Sequence, residues 1–179
     1  SILGVAPFTG LGRGTPVPSW VRMLHVHAVL VGGVAQILLG GFLLFISSPH
    51  AADRKEPDSH PLTFWALNSG LVGMLVGFWL HQSLVVGITG LVVMASCCSV
   101  IYTLWSRARR MWTSSLKHAW YYALSLLGLV GGSACGEILA FGFMPESSGY
   151  VRLAHIHLVV LGFVLLAIMG MMHHLLPTI

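Results

Sequence analysis

The sequence predicts an all-α integral membrane protein built as a bundle of about five transmembrane helices. Only 8% of its 179 residues are charged, 56% are hydrophobic and the mean hydropathy is +0.85. A soluble domain carries roughly 25% charged residues, so this chain has too few charges to cover a water-facing surface. Apolar runs of roughly 20 residues recur, each long enough to cross a bilayer core of about 30 Å. They use most of the chain, which indicates one membrane domain.

Polar connections separate these runs and set the order of the predicted helices. An irregular arm is predicted over 1–20, because Gly and Pro are frequent there and Trp20 suits the membrane interface. The membrane domain follows over 21–179. The predicted helices 1 to 5 are 21–46, 61–80, 84–105, 119–143 and 150–176. The predicted connections are 47–59, a short turn over 81–83, 106–118 and 144–149.

The distribution of basic residues predicts the orientation. Five crossings place the arm, the 81–83 turn and the 144–149 connection on one side, called side A. Side B carries the basic residues Arg54, Lys55, Arg107, Arg109, Arg110 and Lys117. Side A carries Arg13, Arg22 and Arg152. Basic residues concentrate in cytoplasmic loops, so we predict a bacterial inner-membrane protein with a periplasmic N-terminus. The net charge of +4 fits this asymmetry, and no nucleic-acid partner is expected.

A repeated motif lies at the start of helices 1 and 5. The pattern V-R-x-x-H-[V/I]-H occupies 21–27 and again 151–157, so that His25 and His155 are 130 residues apart. Gly32 and Gly162, then Gly40 and Gly170, continue the repeat at the same offset. Both helices run from side A to side B. They are therefore predicted to be parallel and related by a pseudo-two-fold axis along the membrane normal.

The spacing of the motif assigns its residues to helix faces. At about 100° per residue, positions i and i+2 point in opposite directions, so the two histidines of each copy separate. An Arg, a His and a Gly then share one face of each helix. The residues are Arg22, His25 and Gly32, and Arg152, His155 and Gly162. This order suits a haem, with Arg for a propionate, imidazole as axial ligand and Gly beside the ring. The spacing thus favours His25 with His155, and leaves His27 and His157 facing elsewhere.

Two further ionisable residues are predicted in the same leaflet: His81 ends helix 2, and Glu137 lies near the end of helix 4. Ionisable groups in a bilayer are costly and usually functional, and imidazole suits haem iron and copper. The candidate metal ligands are His25, His27, His81, Glu137, His155 and His157. The alternatives are an interfacial His81 and a Glu137 that bonds to helix 3. A second, lower haem at His173 would need His50, His60 or His118 as its partner.

Glycine is frequent in helices 2, 3 and 4. The positions include Gly70, Gly73, Gly77, Gly87, Gly90, Gly128, Gly131, Gly132 and Gly136. Small residues allow membrane helices to approach closely, which is the favoured interpretation. The other interpretation is that glycines leave room for a flat cofactor.

The motif residues carry a family resemblance. The segment from His155 to Gly162, with Met169, Gly170, His174 and Pro177, resembles the haem-copper oxidase subunit I superfamily. It looks most like short stand-alone relatives and the NnrS-type haem and copper proteins. The segment 25–49 is similar to the helix that supplies the low-spin haem's other ligand.

The resemblance implies a b-type haem held by two helices, with His157 as a low-spin haem ligand. It also implies that the second histidines serve another haem or copper. The family's copper ligands, a His on one helix and a His-His pair on the next, have no match in helices 2 to 4. An oxygen-reducing binuclear centre is therefore not expected.

Three functions remain open at this point. The first is a membrane protein with one or two b-type haems that passes electrons between quinol or a periplasmic cytochrome c and a respiratory partner. The second is a nitric oxide- or copper-handling protein with an open haem or copper site. The third is a structural subunit of a respiratory complex. A component of an oxidoreductase is favoured over a self-sufficient oxidase. The expected partners are the lipid bilayer and either other membrane subunits or a second copy.

Overall fold

A computed structural model describes residues 17–47, 61–110 and 119–175, and all regular structure in these ranges is helical. Helix α1 comprises Ser19–Val29, a π-helical segment Leu30–Ala35, and Gln36–Ser47. Helices α2, α3 and α4 are Pro61–Leu80, Ser83–Arg110 and Ala119–Phe141. Helix α5 comprises Ser148–His157, a π-helical segment Leu158–Leu165, and Leu166–Leu175. Within the described ranges, five helices are long and apolar enough to cross a membrane, as predicted for a multi-pass membrane protein.

The helix ends differ from the prediction by a few residues. Helix α2 agrees at both ends, whereas α3 continues to Arg110, five residues beyond the predicted end at 105. Helix α4 ends at Phe141, because Gly142 adopts a φ of 67° that leaves the right-handed helix. Helix α1 already begins at Ser19, inside the predicted arm. The rest of the arm (1–16), most of the 47–59 connection and 111–118 lie outside the described residues, as do His50, His60 and His118.

The two helices that carry the repeat share a feature that the sequence did not predict. Each changes from α to π geometry just after its second histidine, and the π segments end at Ala35 and Leu165, which are again 130 residues apart. A π-helix bonds residue i to i+5 and turns less per residue than an α-helix. Gly32 and Gly162 lie inside these segments. The uniform α-helical rotation that was used to place them on the faces of His25 and His155 therefore does not hold through these segments.

Glycines mediate the contacts between successive helices. Helix α1 packs against α2 and α3, α3 also packs against α4, and α4 packs against α5. On α2, a Cβ at Gly73 would lie 2.5 Å from Thr89 Cγ2 of α3. On α4, a Cβ at Gly128 would lie 2.5 Å from the carbonyl carbon of Gly162. Side chains at these positions would separate the helices, so the predicted packing role of these glycines is confirmed.

The core lies where all five helices meet. Phe42, Phe163 and Ala167 are at most 1% exposed, and Leu67, Val93 and Leu129 join the same cluster. Large apolar side chains such as Ile37, Leu62 and Leu127 are more than two-thirds exposed on the outer surface. Such an exterior is compatible with contact to lipid chains.

The α2–α3 connection consists of His81 and Gln82. The amide of Gln82 donates to the carbonyl of Gly77, and the amide of His81 donates to that of Phe78. These bonds form a Schellman motif, in which the left-handed residue is usually glycine. Here it is His81, with a φ of 58°. The start of α1, this turn and the start of α5 all lie at one end of the bundle, side A.

Candidate functional site

The structure brings together one histidine from each copy of the repeat. The ring centres of His27 on α1 and His155 on α5 lie 6.1 Å apart, and their planes differ by 17°. The expected pairing of His25 with His155 is therefore not observed. The two copies of the motif match in sequence, but the histidines in contact are not equivalent: the second histidine of α1 lies beside the first histidine of α5. The arrangement breaks the predicted two-fold symmetry at this level.

The ring of His27 is held from two directions. Its Nδ1 donates to the carbonyl oxygen of Met23, one turn earlier, at 2.7 Å. The ring of Phe78 on α2 lies against it with ring centres 4.8 Å apart. Because Nδ1 carries the proton in this hydrogen bond, Nε2 of the neutral ring keeps a free lone pair.

The ring of His155 is held by the neighbouring helix. Its Nδ1 donates to the carbonyl oxygen of Gly132 on α4 at 2.7 Å. A Cβ at Gly136 would lie 3.2 Å from His155 Cε1, so the ring lies directly against the bare backbone of α4. Nε2 of His155 is again left as the acceptor nitrogen. A hydrogen bond from the other ring nitrogen to a backbone carbonyl is the usual support of a metal-binding histidine.

The other two histidines of the repeat lie apart from this pair. His157 is exposed, and its Nδ1 donates to the carbonyl of Leu153 at 2.8 Å. This bond repeats that of His27 with Met23 at the offset of 130 residues, so the two second histidines have equivalent local structures. His25 is half-buried, and no hydrogen bond joins it to another described residue.

The predicted arginines and glycines occupy different environments. Arg22 and Arg152 are both exposed near side A, and no ion pair involves them within the described ranges. A Cβ at Gly32 would lie 2.9 Å from Leu71 of α2, and one at Gly162 would lie 3.3 Å from Gly128 of α4. Both glycines therefore serve helix contacts.

His81 and Glu137 also lie apart from the histidine pair. The exposed ring of His81 lies beside Trp20, with centres 6.0 Å apart. Glu137 faces α3, where its Oε1 contacts Gly90. Within the described part of the chain, no group of three or more His, Cys, Asp or Glu side chains could hold a metal ion. The six candidate ligands thus do not form one cluster, and the structure offers a two-histidine arrangement.

Sequence reasoning missed the residues that orient the pair. Phe78 supports His27, and Gly132 and Gly136 support His155. The four-residue spacing of Gly128, Gly132 and Gly136 was a usable signal, because it marks one face of α4 as a close helix contact. Phe78 had no comparable signal, since aromatic residues are common in membrane helices.

Comparison with known proteins gives no match: no protein-family model, no curated protein and no solved structure is similar to this chain. The resemblance to the haem-copper oxidase subunit I superfamily therefore stays a prediction from the motif residues.

Proposed function

We propose that this chain is a multi-pass membrane haem protein that transfers electrons, with His27 and His155 as the two axial ligands of a b-type haem. The observation that carries the proposal is the facing pair of imidazoles from the two repeat helices. Each ring donates through Nδ1 to a backbone carbonyl and so presents Nε2 as a ligand.

The spacing of the two rings supports this proposal. Imidazoles whose centres are about 6 Å apart could both bind one metal ion through metal–nitrogen bonds of about 2.0 Å. The rings of His27 and His155 are 6.1 Å apart and nearly parallel. Helices α1 and α5 pack mainly against other helices, not against each other, so a ligand between them would not replace a major helix contact.

The chain's own residues would orient and tune the group. Haem supplies one-electron redox chemistry, and two protein ligands leave no iron position for a substrate. Met23 and Gly132 hold the imidazoles in the ligating tautomer, and Phe78 limits rotation of His27. Arg152 lies one turn before His155 towards side A, where it can pair with a propionate.

This placement bears on the direction of electron flow. The pair lies in the side A half of the bundle, and the positive-inside rule makes side A periplasmic in a bacterial inner membrane. We therefore propose that quinol or a periplasmic cytochrome c exchanges electrons with the haem, and that a respiratory membrane partner takes part. His25 and His157 remain available for a second cofactor.

A second candidate rests on the same two rings. Two imidazoles with free Nε2 atoms and no third ligand also suit a two-coordinate copper(I) ion, which would support a copper- or nitric oxide-handling role. The third candidate, a structural subunit, needs neither metal.

Two measurements distinguish these functions: metal analysis and a reduced-minus-oxidised spectrum. Both use protein that is purified from membranes after haem has been supplied. Sharp bis-imidazole bands that carbon monoxide leaves unchanged support the electron-transfer protein. Bands shifted by carbon monoxide or nitric oxide favour an open haem, bound copper without haem favours the copper role, and neither metal supports a structural subunit.

Ligand variants test the pairing itself. His27→Ala and His155→Ala should each abolish haem binding. His25→Ala and His157→Ala are matched controls, since each removes the same side chain from the same helix, and both should retain haem. Loss of haem in His25→Ala with retention in His27→Ala would contradict the proposed ligand pair.

A further inference from the structure

We infer that Glu137 is a proton-binding site inside the membrane: its carboxyl group carries a proton in the α3–α4 interface and exchanges it with water on side A. This inference is independent of the haem proposal. Among the described helical residues, Glu137 is the one acidic residue. An ionisable group in a bilayer is a candidate functional site, because its presence there is costly.

The carboxyl group is inserted between two helices. Glu137 Oε1 contacts Gly90 of α3, at a position where a Cβ would overlap the oxygen. One turn further along α4, Phe141 lies against Gly87 of α3 in the same way. The glycines of α3 thus admit two side chains of one α4 face. Glu137 as a whole is half-buried, and one oxygen of its carboxyl group lies against the backbone of α3.

The buried oxygen of this carboxyl group is unpaired. Glu137 Oε2 is fully buried and has no hydrogen-bond partner among the described residues. The hydroxyl nearest in sequence to Gly90, that of Thr89, donates to the carbonyl of Val85 at 2.7 Å. An ionised carboxylate can only accept hydrogen bonds, whereas the protonated acid can donate to a helix carbonyl. A buried oxygen that receives no hydrogen bond from the described residues therefore favours the protonated acid.

Among the described residues of α3 and α5, no Lys or Arg side chain lies at the level of Glu137. The residues on either side of Gly90, Thr89 and Leu91, are uncharged, and the basic residues of α3 begin at Arg107, about 25 Å away along the helix. From α5, the titratable group at this level is His155, whose Nδ1 is engaged by Gly132 on α4. Burial of an unpaired charge is unfavourable, so the neutral acid is favoured here.

The position also allows exchange with water. Glu137 lies four residues before the end of α4 at Phe141, about 6 Å along the helix axis. The turn that follows, 142–147, is exposed at side A. The proton would pass between the carboxyl oxygen and a water molecule that enters from this end. Gain and loss of that proton change the charge beside α3 by one unit.

Dicyclohexylcarbodiimide, a lipophilic reagent, tests the proposal in membrane vesicles. It adds to a protonated carboxyl, and the adduct rearranges to a stable acylurea without loss of atoms. We expect peptide mass spectrometry to find the adduct on Glu137 and not on Glu146 of the exposed turn. Labelling should fall as the pH is raised. Glu137→Gln should remove the adduct, while thermal unfolding confirms that the variant is folded.

Infrared spectroscopy provides the second readout. The carbonyl stretch of a protonated carboxylic acid should be present in the native protein and absent in Glu137→Gln. Two results would overturn the proposal. One is the absence of both the adduct and this band. The other is labelling of Glu137 by a water-soluble carbodiimide and an amine as fast as that of Glu146, which would mean a carboxyl group as exposed to water as that of the turn.

Discussion

The imidazole of His155 is anchored to the carbonyl oxygen of Gly132 at 2.7 Å, whereas that of His27 is anchored within its own helix. The orientation of His155 therefore depends on the contact between α4 and α5. The close approach of the Gly128 and Gly162 backbones maintains that contact one turn deeper in the membrane. A substitution that separates α4 from α5 should therefore also change the orientation of the His155 ring relative to the His27 ring.

Gly128→Ala should destabilise the protein and weaken haem binding. The new Cβ would lie 2.5 Å from the carbonyl carbon of Gly162, and backbone cannot rotate away as a side chain can. Overpacking of this kind costs roughly 1–3 kcal/mol. Thermal unfolding in detergent and haem titration measure the two effects.

The control is Gly33→Ala, since a Cβ at Gly33 would have no neighbour within 4 Å. Gly33→Ala should leave haem binding unchanged, and it should leave protein stability unchanged or raise it slightly. Equal losses in both variants would show that the α4–α5 contact does not position His155.

Replacement of histidine by glycine should have opposite effects on protein stability at His81 and His25. His81 has a φ of 58°, which costs an ordinary residue roughly 1–2 kcal/mol and glycine almost nothing. His81→Gly should therefore raise stability by about 1 kcal/mol. His25→Gly lies inside an α-helix, where glycine is unfavourable by roughly 0.5–1 kcal/mol, and should lower it. Denaturant unfolding compares the two, and a loss of stability in His81→Gly would show that the imidazole itself stabilises the turn.

The hydrogen bond between Gln36 of α1 and Asn68 of α2 should make a modest contribution to stability. Its length is 3.2 Å and the site is part-buried. Bonds of this kind in membrane bundles contribute roughly 0.6 kcal/mol and at most about 1.7 kcal/mol. A double-mutant cycle with Gln36→Leu and Asn68→Leu measures the coupling energy. A value of zero would mean that each side chain finds another partner.

Arg152→Ala should lower the midpoint potential of the haem more than Arg22→Ala does. Arg152 lies three residues before the proposed ligand His155 and so shares its helix face, while Arg22 shares the face of His25. A nearby positive charge favours the reduced haem. An interaction of on the order of 1 kcal/mol corresponds to roughly 40 mV for one electron, so loss of the charge should lower the midpoint potential by about that amount. Redox titration checks this, with Arg152→Lys as the control that keeps the charge, and equal shifts for both arginines would assign them the same role.

The sequence by itself determined the order of the five long apolar helices in the described ranges, and it revealed the repeat. The ends of an apolar run are visible in the neighbouring sequence, and for this reason both ends of α2 were predicted correctly. The frequent glycines of α4 also indicated close helix contacts, and the structure shows that Gly128 and Gly132 contact α5. These properties depend on composition and periodicity within one segment.

Only the tertiary structure decided which histidines meet. The periodicity of α1 and α5 separates the faces of His25 and His27, and those of His155 and His157, but it does not reveal the rotation of each helix within the bundle. Contacts with other helices set that rotation: Phe78 against His27, and Gly132 and Gly136 against His155. The π segments also change the rotation per residue along α1 and α5, and no residue type in the sequence predicts this change. Such contacts join residues far apart in the chain, so the pairing of His27 with His155 had to come from packing.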